Sequence, residues 1–550
     1  MVNFLEAICI LRLAAKVERL ASYLLVIYLT NVWETGITYA ASLIYIWLGT
    51  TKVLALVFLF LLDNNISSYW MLIFSTTASA LGMGLMSIST PSWPYRLITG
   101  SCSEYKMKCI SEMQQSFFYF ALVLIMIGRS SYNAAMTTLN YKGDVNELMM
   151  KMRQLTDFGS NIMVLQAGAL LLAPWSIIFG IPSVCSLIAL YHLMGKSWSH
   201  KLYIDKPETS QVTTILRVVV ASILNISPEL TNEWIDFKID DSPLHLSSSL
   251  RFLEKAAIRP PIDNIRQNSW TLCSLQEVEN TKTLVRMLPM GAVFVILILL
   301  SSIGNSYFFA QAEYLKPMAV FGFEIINTSH LICVYIYTKV RYHEEAKKFI
   351  ETNIRKENKE MLHKAVTGIM IYAIICYSIA ALVEKSRLGV IRLHGISNNP
   401  GEIIPMSMFW LFPQFFLLAC IDASLDRVII LFLAEKSSLV IKKFKVFMVE
   451  AFIGVGHMSV ALVVYVVGKV SEKGGRLNWF QHYTENSRLD LFYWSLTALC
   501  VFVLIIWLSV SHYFNKRQHP NSQLLPLFAN TNVEMYTDTS DCEIGLVSIV

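Results

Sequence analysis

The stretch AAKVERLASYLLVIYLT, Ala14 to Thr30, sets Lys16, Glu18 and Arg19 between two apolar runs near the start of the chain. From Leu20 to Trp33 a helix would be roughly 21 Å long at about 1.5 Å per residue. The hydrocarbon core of a bilayer is about 30 Å thick. A crossing helix must therefore recruit upstream residues, which brings Lys16 to Arg19 into the span or within a turn of its edge. A lone charge deep in lipid costs roughly 3 kcal/mol or more, so such groups face a cavity or a partner. The competing reading is snorkelling of Lys16 and Arg19 to the interface. Glu18 and Arg19 are adjacent, so they point to different faces and do not neutralise each other. Arg19 is a permanent cation able to fork onto a carboxylate or a planar oxyanion. Tyr23 follows Arg19 by one turn, on the same face.

Composition decides the class. Of the 550 residues, 54% are hydrophobic and only 15% charged, and the mean hydropathy is +0.49. A soluble domain carries roughly 25% charged residues, so this chain is read as an all-α polytopic membrane protein. The net charge of +5 is small. Basic residues gather in connections beside apolar runs, which argues for membrane orientation and against nucleic-acid binding. The ten cysteines show no CxxC and no zinc-type spacing. Cys102 and Cys109 share a polar loop, where a disulfide and two unrelated thiols are both open.

Apolar runs long enough to span occur at about 38–62, 69–90, 115–137, 287–310, 364–384, 405–433, 446–470 and 490–513. Further candidates are 3–31 and 318–339. The run 158–194, broken at Ala173-Pro174-Trp175, is long enough for two short helices. That makes twelve spans in two six-helix bundles, 1–194 and 287–514. The bundles are joined by a linker at 195–286 and followed by a tail at 515–550. With both termini cytosolic, the basic segments Lys339–Lys364, Glu435–Lys445 and 515–517 all fall inside, as the positive-inside rule requires. The linker's TTILRVVVASIL, 213–224, is too short to span and reads as an amphipathic surface helix. Two bundles with a cytosolic linker suggest a transporter whose solute binds between the halves.

Charges recur inside the expected spans at Lys52, Arg129, Asp422, Asp426, Arg427 and Glu450. They are either a structural ion network or part of a gate or proton relay. His330 and His457 read as packing residues. The chain has no GxSxG, Walker loop, HExxH or dinucleotide fingerprint. No enzyme activity, cofactor or metal is expected.

Several stretches resemble the plant nitrate/peptide transporter family, in the proton-dependent oligopeptide branch of the major facilitator superfamily. They include VERLASYLLVIYLT (17–30), WLGTT (47–51), FGIPSV (179–184), LRFLEKAAI (250–258) and VENTKTLVRMLPM (278–290). AALVEKSRL (380–388), MSMFWLFPQFFLLACIDA (406–423) and RLDLFYWSL (488–496) continue the series. The resemblance implies the major facilitator fold and alternating access. Cys102 and Cys109 sit where relatives often carry loop cysteines.

The family's functional positions match in part. Its helix-one Glu-x-x-Glu-Arg/Lys motif reads Ala15-x-x-Glu18-Arg19 here, so the first carboxylate is missing. Asp63 remains of the helix 2–3 loop motif, while Ser67 and Ser68 replace its Gly and Arg. On helix four the family's lysine is Asn133, and its helix-ten glutamate is the shorter Asp422. Ser301 stands where some nitrate carriers have a histidine. The resemblance thus assigns substrate contact to Arg19, Tyr23, Asn133 and Ser301, and proton coupling or gating to Glu18 and Asp422. With Asn133 in place of lysine, Asp422 needs another cation, such as Arg19 or Arg129, or is held protonated.

The expected function is secondary transport of a small, anionic solute across the plasma or vacuolar membrane. Nitrate is the first choice, and a di- or tripeptide or other metabolite the second. Protons are either co-transported or absent from the cycle, and the lipid bilayer is the other expected partner. The alternative is a transport-deficient relative acting as a sensor or partner-binding subunit.

Overall fold

The computed structural model describes residues 2–33, 35–64, 66–90, 112–140, 174–195, 211–224, 250–257, 273–313, 315–316, 318–320, 323–326, 358–395, 403–434, 439–481 and 487–518. The opening stretch is helical throughout. Helix α1 runs Val2–Tyr23 and α2 runs Leu25–Asn31, with a single irregular turn at Leu24 between them. Ala7, Ile8, Leu11, Ala14, Glu18, Ala21, Ser22 and Leu25 are all buried. Their spacing is that of one helical stripe, and Glu18 lies on it. The span therefore recruits upstream residues, and Glu18 and Arg19 stand well inside the helical rod rather than at its edge.

The remaining helices of the N-terminal half are α3 (Ile37–Asn64), α4 (Ser68–Ser89), α5 (Glu112–Asn140) and α6 (Trp175–Leu193). Helix α4 packs on α5 and α6, and α1 packs on α6. Hydroxyls tie these helices across the apolar contacts. Ser130 Oγ donates to Thr51 O at 2.8 Å, and Ser183 Oγ to Ala80 O at 2.8 Å. Trp47 Nε1 donates to Leu122 O at 2.7 Å. Small residues that admit close backbones and side chains that bond across helices are how spans associate without a hydrophobic drive between them. The break expected at Ala173-Pro174-Trp175 is the start of α6, with Pro174 at its N-cap. The short helix expected before it lies outside the described residues.

The linker contributes α7 (Gln211–Leu224), a 3-10 segment at Arg251–Ala257 and α8 (Leu275–Val285). They share a small core of Val218, Ala221, Leu253, Ala256, Cys273 and Val278. Helix α7 matches the expected short amphipathic element, and it rests against α3. Lys282, fully buried, bridges Glu254 and Glu279 at 2.7 Å each. Ser274 and Glu277 form a capping box at the start of α8.

The C-terminal half holds α9 (Leu288–Glu313), α10 (Asn358–His394), α11 (Phe412–Ala434), α12 (Leu439–Ser471) and α13 (Leu489–Gln518). Strand β1 (Leu315–Lys316) pairs in parallel with β4 (Ile404–Ser407). Strands β2 (Met318–Val320) and β3 (Phe323–Ile326) form a short antiparallel pair. The span expected at 318–339 therefore begins as a hairpin, and residues 327–339 lie outside the described set. Its internal Glu324 sits in β3, where residues register with β2 instead of following a helical period.

Helix α10 is longer than the expected 364–384. Glu384 and Arg387, at and just past that expected end, are buried partners inside the helix. Arg387 donates twice to Glu384, at 2.8 and 2.7 Å. Gln311 Nε2 of α9 donates to Glu384 at 2.6 Å, and Gln414 Nε2 of α11 to Gln311 Oε1 at 3.0 Å. A charge that is paired and hydrogen-bonded is tolerated in an interior, so it does not end the span.

Eight described helices are long and apolar enough to cross a membrane. Helices α1 and α11 are not among them, because each is interrupted by charge. They are the two helices that carry Glu18–Arg19 and Asp422. The halves meet chiefly along α3 and α12. Ile37, Ala41 and Tyr45 of α3 join the C-terminal core, and Phe447 of α12 joins an N-terminal one.

Candidate functional site

The site is built from two polar networks, one in each half. In the N-terminal half, a small cleft opens between α1, α4, α5 and α6. Helix α1 supplies Ala15, Glu18 and Arg19; α4 supplies Ser75, Thr76 and Ser79; α5 supplies Arg129 and Tyr132; and α6 supplies Ser186. Gly128 sets the crossing that makes this possible. A Cβ there would stand 2.5 Å from Ser79 Oγ and 2.9 Å from Ser75 O, inside any tolerable contact. Only glycine lets α5 approach α4 so closely and carry Arg129 and Tyr132 to the cleft.

Glu18 is buried, at 4% exposure. Arg129 is the strongest positive charge acting on it and Arg19 a weaker one. The Arg129 guanidinium lies over the Trp47 ring of α3, 5.7 Å from its centroid, within reach of a cation–π contact. Arg19 donates to Asn133 Oδ1 at 3.4 Å. Ala15 also lines the cleft, so a methyl group occupies the place where a carboxylate is absent. Among the described residues, two guanidiniums, Arg19 and Arg129, thus line the cleft together with one carboxylate, Glu18. The cleft volume is about 20 Å³, room for about one water molecule.

In the C-terminal half, the Asp422 carboxylate of α11 is held by α9. Ser301 Oγ donates to Asp422 Oδ1 at 2.5 Å, and Asn305 Nδ2 donates to Oδ2 at 3.0 Å. Asn305 Nδ2 also reaches Ser301 Oγ at 3.3 Å. Ser301 and Asn305 are one helical turn apart, which places both donors on one face of α9. Neutral donors also stabilise a carboxylate, which the sequence reading did not consider for Asp422.

The structure brings Glu18, Arg19 and Asn133 together in the first network, and Ser301 and Asp422 together in the second. Tyr23 closes α1, and its side chain lies outside the described residues. Sequence reasoning missed Tyr132, Ser79 and Asn305, and read Arg129 as a charge within a span and a candidate cation for Asp422 instead of a neighbour of Glu18. The signals were present: Arg129 was a charge within a span, and Asn305 follows Ser301 by four positions. His457, read as a packing residue, stacks on Tyr45 and meets Ser302 Oγ through Nδ1 at 2.8 Å.

The sequence model of the POT family, named PTR2, matches residues 158–480, more than half of the chain. The chain belongs to the POT family. Membership makes this POT protein an integral, multi-pass membrane protein and a secondary transporter of small solutes. Among curated proteins it is similar to Protein NRT1/PTR FAMILY 5.5 of Arabidopsis thaliana, 29% identical over 518 residues, covering 89% of this chain and 93% of the relative. Protein NRT1/PTR FAMILY 8.1 of the same plant is 25% identical over 537 residues, covering 91% and 92%. In fold this POT protein is similar to an auto-inhibited POT family peptide transporter, with a TM-score of 0.58 at 14% identity, covering 92% of this chain and 96% of that one. The POT family transporter PepTSo gives 0.57 at 12% identity, covering 92% and 98%. These fold matches agree with the major facilitator architecture of two six-helix bundles expected from the sequence.

Proposed function

We propose that this POT protein carries a small anion by alternating access, nitrate before di- or tripeptides, with Arg19 and Arg129 as the anchoring cations. One observation carries this reading: among the described residues Arg19 and Arg129 both line the cleft beside Glu18, and Ala15 stands there in place of a second carboxylate. A zwitterionic peptide presents an ammonium as well as a carboxylate, and a cleft lined by two guanidiniums favours the carboxylate end. Planar guanidiniums match the oxygens of a planar oxyanion. The cleft must widen to admit even nitrate. Glu18 is the proton carrier in this scheme, since its protonation removes a negative charge from the cleft and improves anion binding. Asp422, held by Ser301 and Asn305, takes the gating role in the other half.

The test is tracer flux in proteoliposomes of purified protein, with nitrate and a dipeptide compared at two external pH values, with and without an uncoupler. Nitrate flux that exceeds dipeptide flux supports the reading. Dipeptide flux above nitrate flux removes the anion assignment. The second reading, a transport-deficient relative, is favoured by the small cleft and by Asn133 in place of a lysine. It predicts no flux of either solute from protein that is folded and correctly inserted.

A further inference from the structure

Three cations share one stripe of α1. Arg12, Lys16 and Arg19 follow one another at intervals of four and three residues, the spacing of one helical face, and all three are partly buried. Between Ile8 and Tyr23 the sequence holds one carboxylate, Glu18, which lies about 100° round the helix from Arg19. Helices α1 and α2 together run from Val2 to Asn31, about 45 Å of rod. The three cations occupy its middle, where a charge is expensive unless it lines a solute path or meets a partner. Snorkelling to the headgroups is the competing account, and the setting of Arg12 speaks against it. Its Nη1 is buried, and Arg12 is the strongest charge acting on Tyr132 of α5, ahead of Arg19.

Leu11 and Tyr132 both line the cleft. Arg12 follows Leu11 in the chain and shares Tyr132 with Arg19, so it stands at the end of the cleft nearest the N-terminus of α1. Along the helix axis Arg12 and Arg19 are about 10 Å apart. Ala15 lies between them, one turn from each, and also lines the cleft. A carboxylate at 15 would stand between the two guanidiniums, whereas a methyl group adds no negative charge there. An oxyanion that leaves Arg19 in this direction meets a further cation at each turn of α1, and each offers charge-assisted donors. With the N-terminus cytosolic, as the basic connections imply, that direction is toward the cytosol.

We propose that Arg12 and Lys16 form a second anion subsite, one step along α1 from the cleft on its cytosolic side, which takes a small oxyanion as it leaves Arg19. This rests on the anion reading of the cleft. Arg12 supplies the planar fork that matches two oxygens of the anion, and Lys16 supplies a point charge between the two guanidiniums.

The experiment is a nitrate titration of the melting temperature of the purified full chain in detergent. Sodium gluconate at equal ionic strength is the control, because it screens charge as nitrate does. Binding raises the melting temperature with a half-saturating concentration that reports affinity. Wild type is compared with Arg19→Gln and with Arg19→Gln carrying in addition Arg12→Gln, Arg12→Lys or Lys16→Gln. Arg19→Gln is expected to keep a nitrate response at about tenfold higher concentration, and adding Arg12→Gln to weaken it about fivefold further. Lys16→Gln acts in the same direction and serves as the second variant if Arg12→Gln does not fold. Arg12→Lys, which keeps the charge, stays within about twofold of Arg19→Gln alone. A purely structural Arg12 would lower the melting temperature in both salts and leave the half-saturating nitrate concentration where it was, and that result overturns the proposal. So does Arg19→Gln that has lost its whole nitrate response, since no second subsite then remains. A wild type that responds to nitrate no more than to gluconate ends the anion reading and this subsite together, whereas the other two results end the subsite and leave the anion reading standing.

Discussion

The Arg19 guanidinium donates to Asn133 Oδ1 at 3.4 Å, joining α1 to α5 inside the N-terminal half. That is long for an N–H···O bond, so Asn133 steadies the guanidinium without consuming it. A lysine at the same position would repel Arg19. Asparagine removes that repulsion, and Arg19 lines the cleft.

Arg19→Ala is expected to lower tracer flux more than about tenfold, because a charge-assisted anchor is worth roughly 1.5–3 kcal/mol. Arg19→Lys keeps the charge but loses the fork, and falls between the two. Asn133→Ala is milder, at about fivefold or less. Flux is normalised to inserted protein measured by surface labelling. Wild-type flux from Arg19→Ala would remove the anchor assignment.

Ala15→Glu adds a second carboxylate to the cleft wall, opposite the guanidiniums of Arg19 and Arg129. Nitrate flux should fall by about tenfold, the effect of one added charge worth roughly 1.4 kcal/mol. Dipeptide flux should hold or rise, since a second carboxylate can receive the peptide ammonium. A matched drop for both solutes would mean that residue 15 affects folding or closure and not selectivity.

Glu18 gives the pH dependence a sign. If its protonation prepares the cleft for an anion, uptake rises as external pH falls, and Glu18→Gln flattens that profile while retaining flux. A Glu18→Gln protein whose uptake keeps the wild-type pH profile would place the coupled proton on another group. The measurement is initial rate against external pH at fixed membrane potential, which separates proton binding from charge movement.

Much of this architecture was legible in the sequence because lipid enforces it. Apolar runs of about 20 residues have few alternatives to a helix, so α3, α4, α5, α9, α12 and α13 follow their expected spans within a few residues at most ends. The site was legible where a charge broke an apolar stripe: Glu18 lies in register with Leu11, Ala14, Ala21 and Leu25. Reading failed where charge was compensated from elsewhere. The expected span stopped at 384, and nothing local in the sequence shows that Glu384 and Arg387 pair inside a longer helix or that Gln311 and Gln414 complete their network. Likewise, nothing local in the sequence shows that Ser301 and Asn305, more than a hundred positions away in the chain, donate to Asp422. Tertiary partners of this kind leave no local signal.

The Asp422 network predicts a stability effect distinct from transport. Ser301→Ala removes one donor from a buried carboxylate, at a cost of roughly 1–3 kcal/mol. Asp422→Asn replaces an acceptor oxygen with an amide that must turn one NH2 toward the donors of Ser301 or Asn305, and costs a similar amount. The double variant Ser301→Ala with Asp422→Asn should cost less than the sum, since the first change removes a donor that opposes the second. Thermal melting in detergent reads all three, and strict additivity would mean that the two groups do not share the bond.

The buried pair on α10 makes the largest prediction. Glu384→Gln leaves the Arg387 guanidinium at 1% exposure without its bidentate partner, and stranding a buried charge costs about 3–5 kcal/mol. Gln311 then faces an amide instead of a carboxylate, so the link from α9 through α10 to α11 weakens as well. Most of the expressed protein should be lost from the monodisperse peak in fluorescence-detected size exclusion. Replacing both charges, Glu384→Gln with Arg387→Met, removes the stranded cation and should recover much of that peak. The two outcomes separate the pair's roles. Recovery means the single variant fails through an uncompensated charge, as argued from the burial. Continued loss in the double variant would mean that the link to Gln311 and Gln414, and not charge balance, holds α10 in the C-terminal half.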